Sequence, residues 1–192
     1  MLFSRQFELL PTHKGGLTEK IIETKRLYLR ELDILDLDDL SKILSDSESM
    51  KYYPHLFSRE EVRKWIEWNI DNYIRYNHGL WAVILKENET FLGDCGITVQ
   101  EIENSKLPEL GYHIHKDYCN KGFATEAAKA CIDYAFTTLN IQKLYTYTDV
   151  LNIPSRKVAE KNGMNFIKKF SKKVMGNFIE EVLYSIEQKK DI

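Results

Sequence analysis

A chain of 192 residues, 43% hydrophobic and 29% charged, has the composition of one globular domain, not of a disordered or membrane-embedded protein. Its formal net charge of −2 argues against general nucleic-acid binding, which requires a marked basic excess. No apolar run approaches the roughly 20 residues needed to span a bilayer. Arg5, Glu8 and Pro11 stand where a signal peptide would be apolar, so a cytoplasmic location is expected. Cys95, Cys119 and Cys131 are odd in number and lack a Cys-x-x-Cys spacing. They read as reduced thiols and exclude a complete internal disulfide framework.

Residues 1–20 show no period and contain Pro11 and Gly15-Gly16; they read as an N-terminal extension, with one domain over 21–192. Ile22–Arg30 reads as a strand, with Leu27 and Leu29 on one face and Tyr28 and Arg30 on the other. A helix is expected over Asp36–Leu44. Ser58 followed by Glu61 is a capping box, and Val62, Trp65, Ile66, Ile70, Tyr73 and Ile74 carry a helical stripe to about Tyr76. Trp68 falls off that stripe, and the preceding loop, Tyr52-Tyr53-Pro54-His55, is aromatic.

Three strands are expected next, at Leu80–Lys86, Thr90–Val99 and Glu109–His115. Glu87-Asn88-Glu89 forms the first turn and a polar loop near Glu103–Lys106 the second connection. Gly122–Leu139 reads as a helix with Phe123, Ala127, Cys131, Tyr134 and Ala135 on one face. A strand at Lys143–Val150, a helix opening at Pro154 and stopping at Gly163, and strands at Asn165–Ser171 and Ile179–Glu187 complete the chain. This order implies an α+β fold: a mixed, mainly antiparallel central sheet of about seven strands flanked by about four helices.

The most informative stretch runs from Glu109 to Glu126. It passes from a strand through a short loop into a helix, with Gly122 at the turn and Ala124 just inside. Small residues there admit a ligand phosphate close to the backbone, and the unpaired N–H groups and dipole of the helix start favour its charge. The same element also serves as a plain structural turn, so its spacing alone leaves both readings open.

The loop resembles the coenzyme A pyrophosphate loop of the GNAT N-acetyltransferase superfamily, Gln/Arg-x-x-Gly-x-Gly/Ala. Gly122 and Ala124 match, and Cys119 replaces the Gln/Arg. Asn120–Ala127 is similar to the branch containing the ribosomal-protein N-acetyltransferases. Thr24-x-Arg26-Leu-x-Leu-Arg30 resembles the opening strand of that branch. Asn152-Ile-Pro-Ser155 through Glu160-Lys161-Asn-Gly163 resembles its late signature, with Met164 in place of Phe. The resemblance spans about residues 22–187.

That resemblance implies transfer of an acetyl group from acetyl-coenzyme A to a primary amine by direct attack. The acceptor would be a protein N-terminus or a small amine, and the protein a monomer or homodimer with no metal, nucleic acid or membrane involved. It assigns the cofactor to His113, Ile114, His115, Asn120, Lys121, Gly122, Phe123, Ala124, Thr125, Asn152 and Ser155. An N–H near Ile114 would polarise the thioester carbonyl, and Asn152 would either contact pantetheine or cap the following helix. Glu109 is the expected base, with a purely structural role as the competing reading. Tyr53, His55 and Trp68 are expected in the acceptor pocket, although such aromatics also serve as core anchors. Ala159 stands where many relatives carry an acid tyrosine, so the proton donor is open between Ser155, water and none. A domain that binds coenzyme A without catalysis is the second function reading, and one that uses only the fold for interaction the third.

Overall fold

In the computed structural model, residues 19–103 and 105–189 are described. The expected extension over residues 1–20 lies outside them except for Glu19 and Lys20. Where one strand is expected across Ile22–Arg30, the chain makes two: β1 (Lys20–Glu23) and β2 (Leu27–Glu31), paired antiparallel. The break is chemical. Thr24 N–H donates to the Leu27 carbonyl at 2.9 Å, and Thr24 Oγ1 accepts from Leu27 N–H at 2.9 Å. Glu126 pins this turn, accepting from Thr24 Oγ1 at 2.7 Å and from Arg26 N–H at 2.9 Å.

A short 3-10 turn leads into α1 (Leu37–Leu44), and α2 (Arg59–Tyr76) follows. The Ser58–Glu61 capping box forms: Ser58 Oγ accepts Glu61 N–H at 3.3 Å and Ser58 N–H reaches Glu61 Oε2 at 2.7 Å. Ile74, expected on the buried stripe, is 69% exposed. The buried face instead runs through Val62, Ile66, Asn69 and Tyr73. Asn69 belongs there because its Oδ1 takes the Leu80 N–H at 2.7 Å.

The remaining elements are β3 (Leu80–Leu85), β4 (Thr90–Ile102), β5 (Ser105–Ile114), α3 (Phe123–Thr137), β6 (Lys143–Asp149), α4 (Ile153–Lys161), β7 (Asn165–Val174) and β8 (Asn177–Glu187). β4 and β5 extend into the polar loop expected there, to Ile102 and from Ser105. Among the described residues, eight strands form one sheet in the order β1-β2-β3-β4-β5-β6-β8-β7. This is one more strand than expected, through the division at Thr24. Every neighbouring pair is antiparallel except β5–β6, which is parallel and joined through α3, as a parallel connection requires.

Side chains alternate across this sheet, and each face has its own core. On one, Leu27, Leu29, Trp81, Val83, Cys95, Ile97 and Leu144 pack with Ala127, Ala128, Cys131 and Ala135 of α3 and with Ala159 of α4. On the other, Tyr28, Ala82 and Ile84 meet Leu40, Ile43 and Leu44 of α1 and Val62 and Ile66 of α2. Cys95 and Cys131 are free thiols in van der Waals contact, 3.6 Å apart. In β4 an extra residue, Leu92, sits between Phe91 opposite Ile84 and Gly93 opposite Val83. Gly93 takes φ 149°, and a Cβ there would lie 1.9 Å from the His113 carbonyl oxygen. This β-bulge reorients β4 just before Asp94, next to the site described below.

Candidate active site

The β5–β6 ladder consists of one residue pair, Glu109 opposite Tyr145. Beyond it, toward the C-terminal ends of both strands, β5 is paired only with β4 and β6 only with β8. His115 N–H donates to Leu92 O at 2.8 Å, on the β4 side. Backbone alternation therefore turns the N–H groups of Tyr112 and Ile114 toward the unpaired gap.

A cavity of about 270 Å³ opens at this gap. Glu109, Tyr112 and His113 reach it from β5, Tyr147 and Asp149 from β6, and Asn152 and Ser155 from the start of α4. Tyr53, His55 and Trp65 close it from the α1–α2 side, while Lys172 and Glu181 close it from β7 and β8. Tyr53 and His55, both expected at the acceptor pocket, line it. Trp68 does not; it packs on the Trp65 ring at 5.2 Å between centroids.

Glu109 sits at the vertex, where its Oε2 accepts from Thr98 Oγ1 at 3.2 Å. Burial pushes its pKa up to about 7, and the nearby Glu181 carboxylate adds to this. The Thr98 hydrogen bond and the charges of His113 and Lys172 oppose it. Four residues along the same face, His113 is held between two side chains. Its Nδ1 lies 2.7 Å from Asp94 Oδ1 and its Nε2 lies 2.8 Å from the Tyr53 hydroxyl. Asp94 is fully buried and also accepts from Trp65 Nε1 at 3.2 Å. Burial disfavours the charged imidazole, but the Asp94 carboxylate outweighs it and raises the pKa of His113 above the usual value.

On the opposite face of β5, the Tyr112 hydroxyl donates to the Ser155 carbonyl at 2.9 Å and lies 3.1 Å from Ser155 Oγ. Asn152 Oδ1 caps α4 by accepting Ser155 N–H at 3.1 Å while its residue also lines the cavity. Ala159 is buried one turn further on. Glu181 presents a buried Oε2 with no hydrogen-bond partner, and its pKa is raised, first by burial.

The glycine loop stands apart from this cavity, at the start of α3. Gly122 is the N-cap in the left-handed region, φ 79°, with no side chain capping the helix. The first N–H groups of α3, at Phe123, Ala124 and Thr125, are thereby left for an outside acceptor. A Cβ at Gly122 would meet only Arg26 Nη2, at 3.5 Å. Arg26 Nη1 donates to the Lys121 carbonyl at 3.0 Å, its Nε pairs with Glu126 at 2.6 Å, and its guanidinium lies over the Phe123 ring. The loop thus has a cation beside it although residue 119 is Cys. Asn120 is exposed with φ 61°, and Lys121 is exposed with its Nζ over the Tyr118 ring. His115 turns away and accepts Asp117 N–H at 3.3 Å through Nδ1.

Asp94, Trp65, Tyr112, Tyr147, Lys172 and Glu181 are site residues that the sequence reading does not single out. Asp94 carried one signal: a charged residue among Gly93, Cys95, Gly96 and Ile97, in the middle of a strand.

Comparison with known proteins bears on the family and the fold. A family model described as "Acetyltransferase (GNAT) domain" matches residues 26–165. The uncharacterized N-acetyltransferase p20 of Bacillus licheniformis is 30% identical over 169 residues, covering 85% of this chain and 93% of that protein. A crystal structure of a GNAT-family acetyltransferase from Bacillus anthracis superposes with a TM-score of 0.74 at 28% identity, covering 86% of this chain and 97% of that one. The fold is also that of RimL, a ribosomal L7/L12 alpha-N-protein acetyltransferase solved in complex with coenzyme A. That match has a TM-score of 0.73 at 18% identity and covers 88% of this chain and 98% of RimL. The chain belongs to the GNAT acetyltransferase family.

Proposed function

We propose that this protein transfers an acetyl group from acetyl-coenzyme A to a primary amine, with Glu109 as the general base. The observation that carries the reading is the one-pair β5–β6 ladder with Glu109 at its vertex and an open cavity beyond. The unpaired N–H groups of Tyr112 and Ile114 suit an extended amide-bearing arm that completes the sheet edge. The open start of α3, with Arg26 beside it, suits a diphosphate. Acetyl-coenzyme A supplies the activated acyl group. This chain's residues position the amine and take its proton.

An ammonium has no lone pair, so attack requires its deprotonation. A carboxyl titrating near pH 7 is matched to that task at neutral pH, because it is both partly ionised and basic enough. The aromatic and carboxylate lining around Tyr53, Trp65, Tyr147 and Glu181 favours a cationic acceptor, whether a small amine or a protein N-terminus. The proposed setting is the cytoplasm.

The test is release of free coenzyme A from acetyl-coenzyme A across a panel of diamines, amino sugars and short peptides. Product mass should show one added acetyl group on nitrogen. Saturable coenzyme A binding with no turnover on any amine would overturn the reading.

A further inference from the structure

Breaking a thioester leaves a thiolate, and the cavity contains a second acid–base system able to protonate it. We propose that Asp94, His113 and Tyr53 form a proton-donating relay whose outlet is the Tyr53 hydroxyl, on the same cavity wall system as Glu109. The assignment rests on the acetyltransfer reading above.

The geometry is that of a chain with one buried end and one open end. Asp94 is fully buried and fixed by Trp65 Nε1 at 3.2 Å, so its carboxylate cannot turn away from His113 Nδ1 at 2.7 Å. The His113 side chain is only 10% exposed. Its second nitrogen is committed to Tyr53, 2.8 Å away, and Tyr53 lines the cavity. Asp94 sits directly opposite His113 in the β4–β5 ladder, and the bulge at Gly93 sets the strand just before it. Two rigid strands therefore hold the inner pair, and only Tyr53 comes from a loop.

The charges facing the imidazole set the direction of transfer. Asp94 from β4 and Glu109 from β5 both favour the imidazolium, Tyr53 and Trp65 are neutral, and the raised pKa of His113 agrees. An imidazolium donates from both nitrogens. With Nε2–H pointing at Tyr53 Oη, the tyrosine's own proton points elsewhere and can be offered to the cavity that Tyr53 lines.

Tyr53 gives that proton to the sulfur as the C–S bond breaks and its electron pair stays on sulfur. His113 Nε2–H passes its proton to the Tyr53 oxygen. Nδ1 keeps its proton, held by the Asp94 carboxylate, leaving a neutral imidazole that solvent reprotonates. The amine's proton leaves separately through Glu109 as the C–N bond forms.

Two measurements on the full chain test this. The first is an NMR titration of the histidine ring nitrogens without any ligand. His113 should titrate above the ordinary histidine value of about 6.5, and in Asp94→Asn it should titrate lower than in wild type. The second compares wild type with Tyr53→Phe, a change in an exposed loop that leaves the buried pair intact. Using the best amine of the acceptor panel, kcat should fall about 10²-fold or more. Coenzyme A affinity by calorimetry and thermal midpoint should stay unchanged.

His113→Gln should remove the alkaline limb of the wild-type pH–rate profile, which a merely structural histidine would leave in place. A His113 that titrates at or below the ordinary value, or Tyr53→Phe with wild-type kcat, overturns the relay. Failure of wild type itself to turn over is a separate result: it removes the acetyltransfer reading and this assignment with it.

Discussion

Burial of Glu109 at the vertex of the β5–β6 gap favours its neutral form, whereas taking a proton from an amine requires the carboxylate. The fold and the proposed reaction therefore pull this residue in opposite directions across the same pH range. Its carboxyl rises from an ordinary 4.5 to about 7 in the folded protein, so its contribution to stability is fully present below about pH 4.5 and is lost as pH rises through about 7. Glu109→Gln should accordingly melt no lower than wild type at pH 8, with any gain vanishing near pH 4.5. Melting curves at the two pH values check this. The same substitution should lower kcat/KM by ~10²–10⁴-fold at neutral pH, and the deficit should shrink at high pH, where the amine is already neutral. Near-normal turnover at pH 7 would remove Glu109 from the mechanism. Glu109, Tyr53, His55, Asn152 and Ser155 could be picked out of the sequence because each belongs to a motif or an aromatic cluster. Glu181 could not, and Asp94 only as a charge within an apolar strand, since what makes them matter is a partner, or the lack of one, that only strand register creates. The helical stripe turns Trp65 inward and leaves Trp68 off it, and the pocket expectation falls on Trp68. The indole that reaches Asp94, on the interior strand β4, is the one on the stripe.

Among the elements, helices were easier to read than strands because their ends are written in local chemistry. The Ser58–Glu61 box starts α2 where the sequence places it, and Ser58→Ala should cost about 1 kcal/mol, within the usual ~0.5–2 kcal/mol for a lost cap, measured by chemical denaturation. The β1–β2 division was hidden because Glu126, the residue that pins the Thr24 turn, lies about a hundred positions away. The bulge at Gly93 was hidden for the same kind of reason: the oxygen that forbids a side chain there belongs to His113. At Gly122 the constraint is the backbone itself. A left-handed φ of 79° costs a residue with a Cβ roughly 1–2 kcal/mol, and a β-branched residue more. Gly122→Val should therefore lower the melting temperature and weaken coenzyme A binding together. Cys119→Ala, whose exposed thiol makes only long contacts to Ile114 O and His115 O, should change affinity less than tenfold. Calorimetric titrations in the reverse order would break the assignment of this loop.

At the scale of the whole molecule, the sheet order was not accessible from element order alone. The exchange that places β8 between β6 and β7 puts Glu181 on the cavity wall and leaves β7 at the outer edge. The sheet is then two antiparallel blocks, β1 to β5 and β6-β8-β7, whose strands meet in a single residue pair. Ladder hydrogen bonds are what make neighbouring strands open together, so this seam is where cooperativity should be weakest. The amides of Tyr112 and Ile114, which face the gap, should exchange with solvent faster than those of the β3–β4 ladder. An arm of coenzyme A lying in the gap would act as a missing strand and slow them, coupling the two blocks into one unfolding unit. Hydrogen exchange with and without coenzyme A should show this as protection confined at first to the seam. The melting transition should sharpen at the same time, so that the proposed co-substrate would serve the folded chain as a suture as well as a reactant.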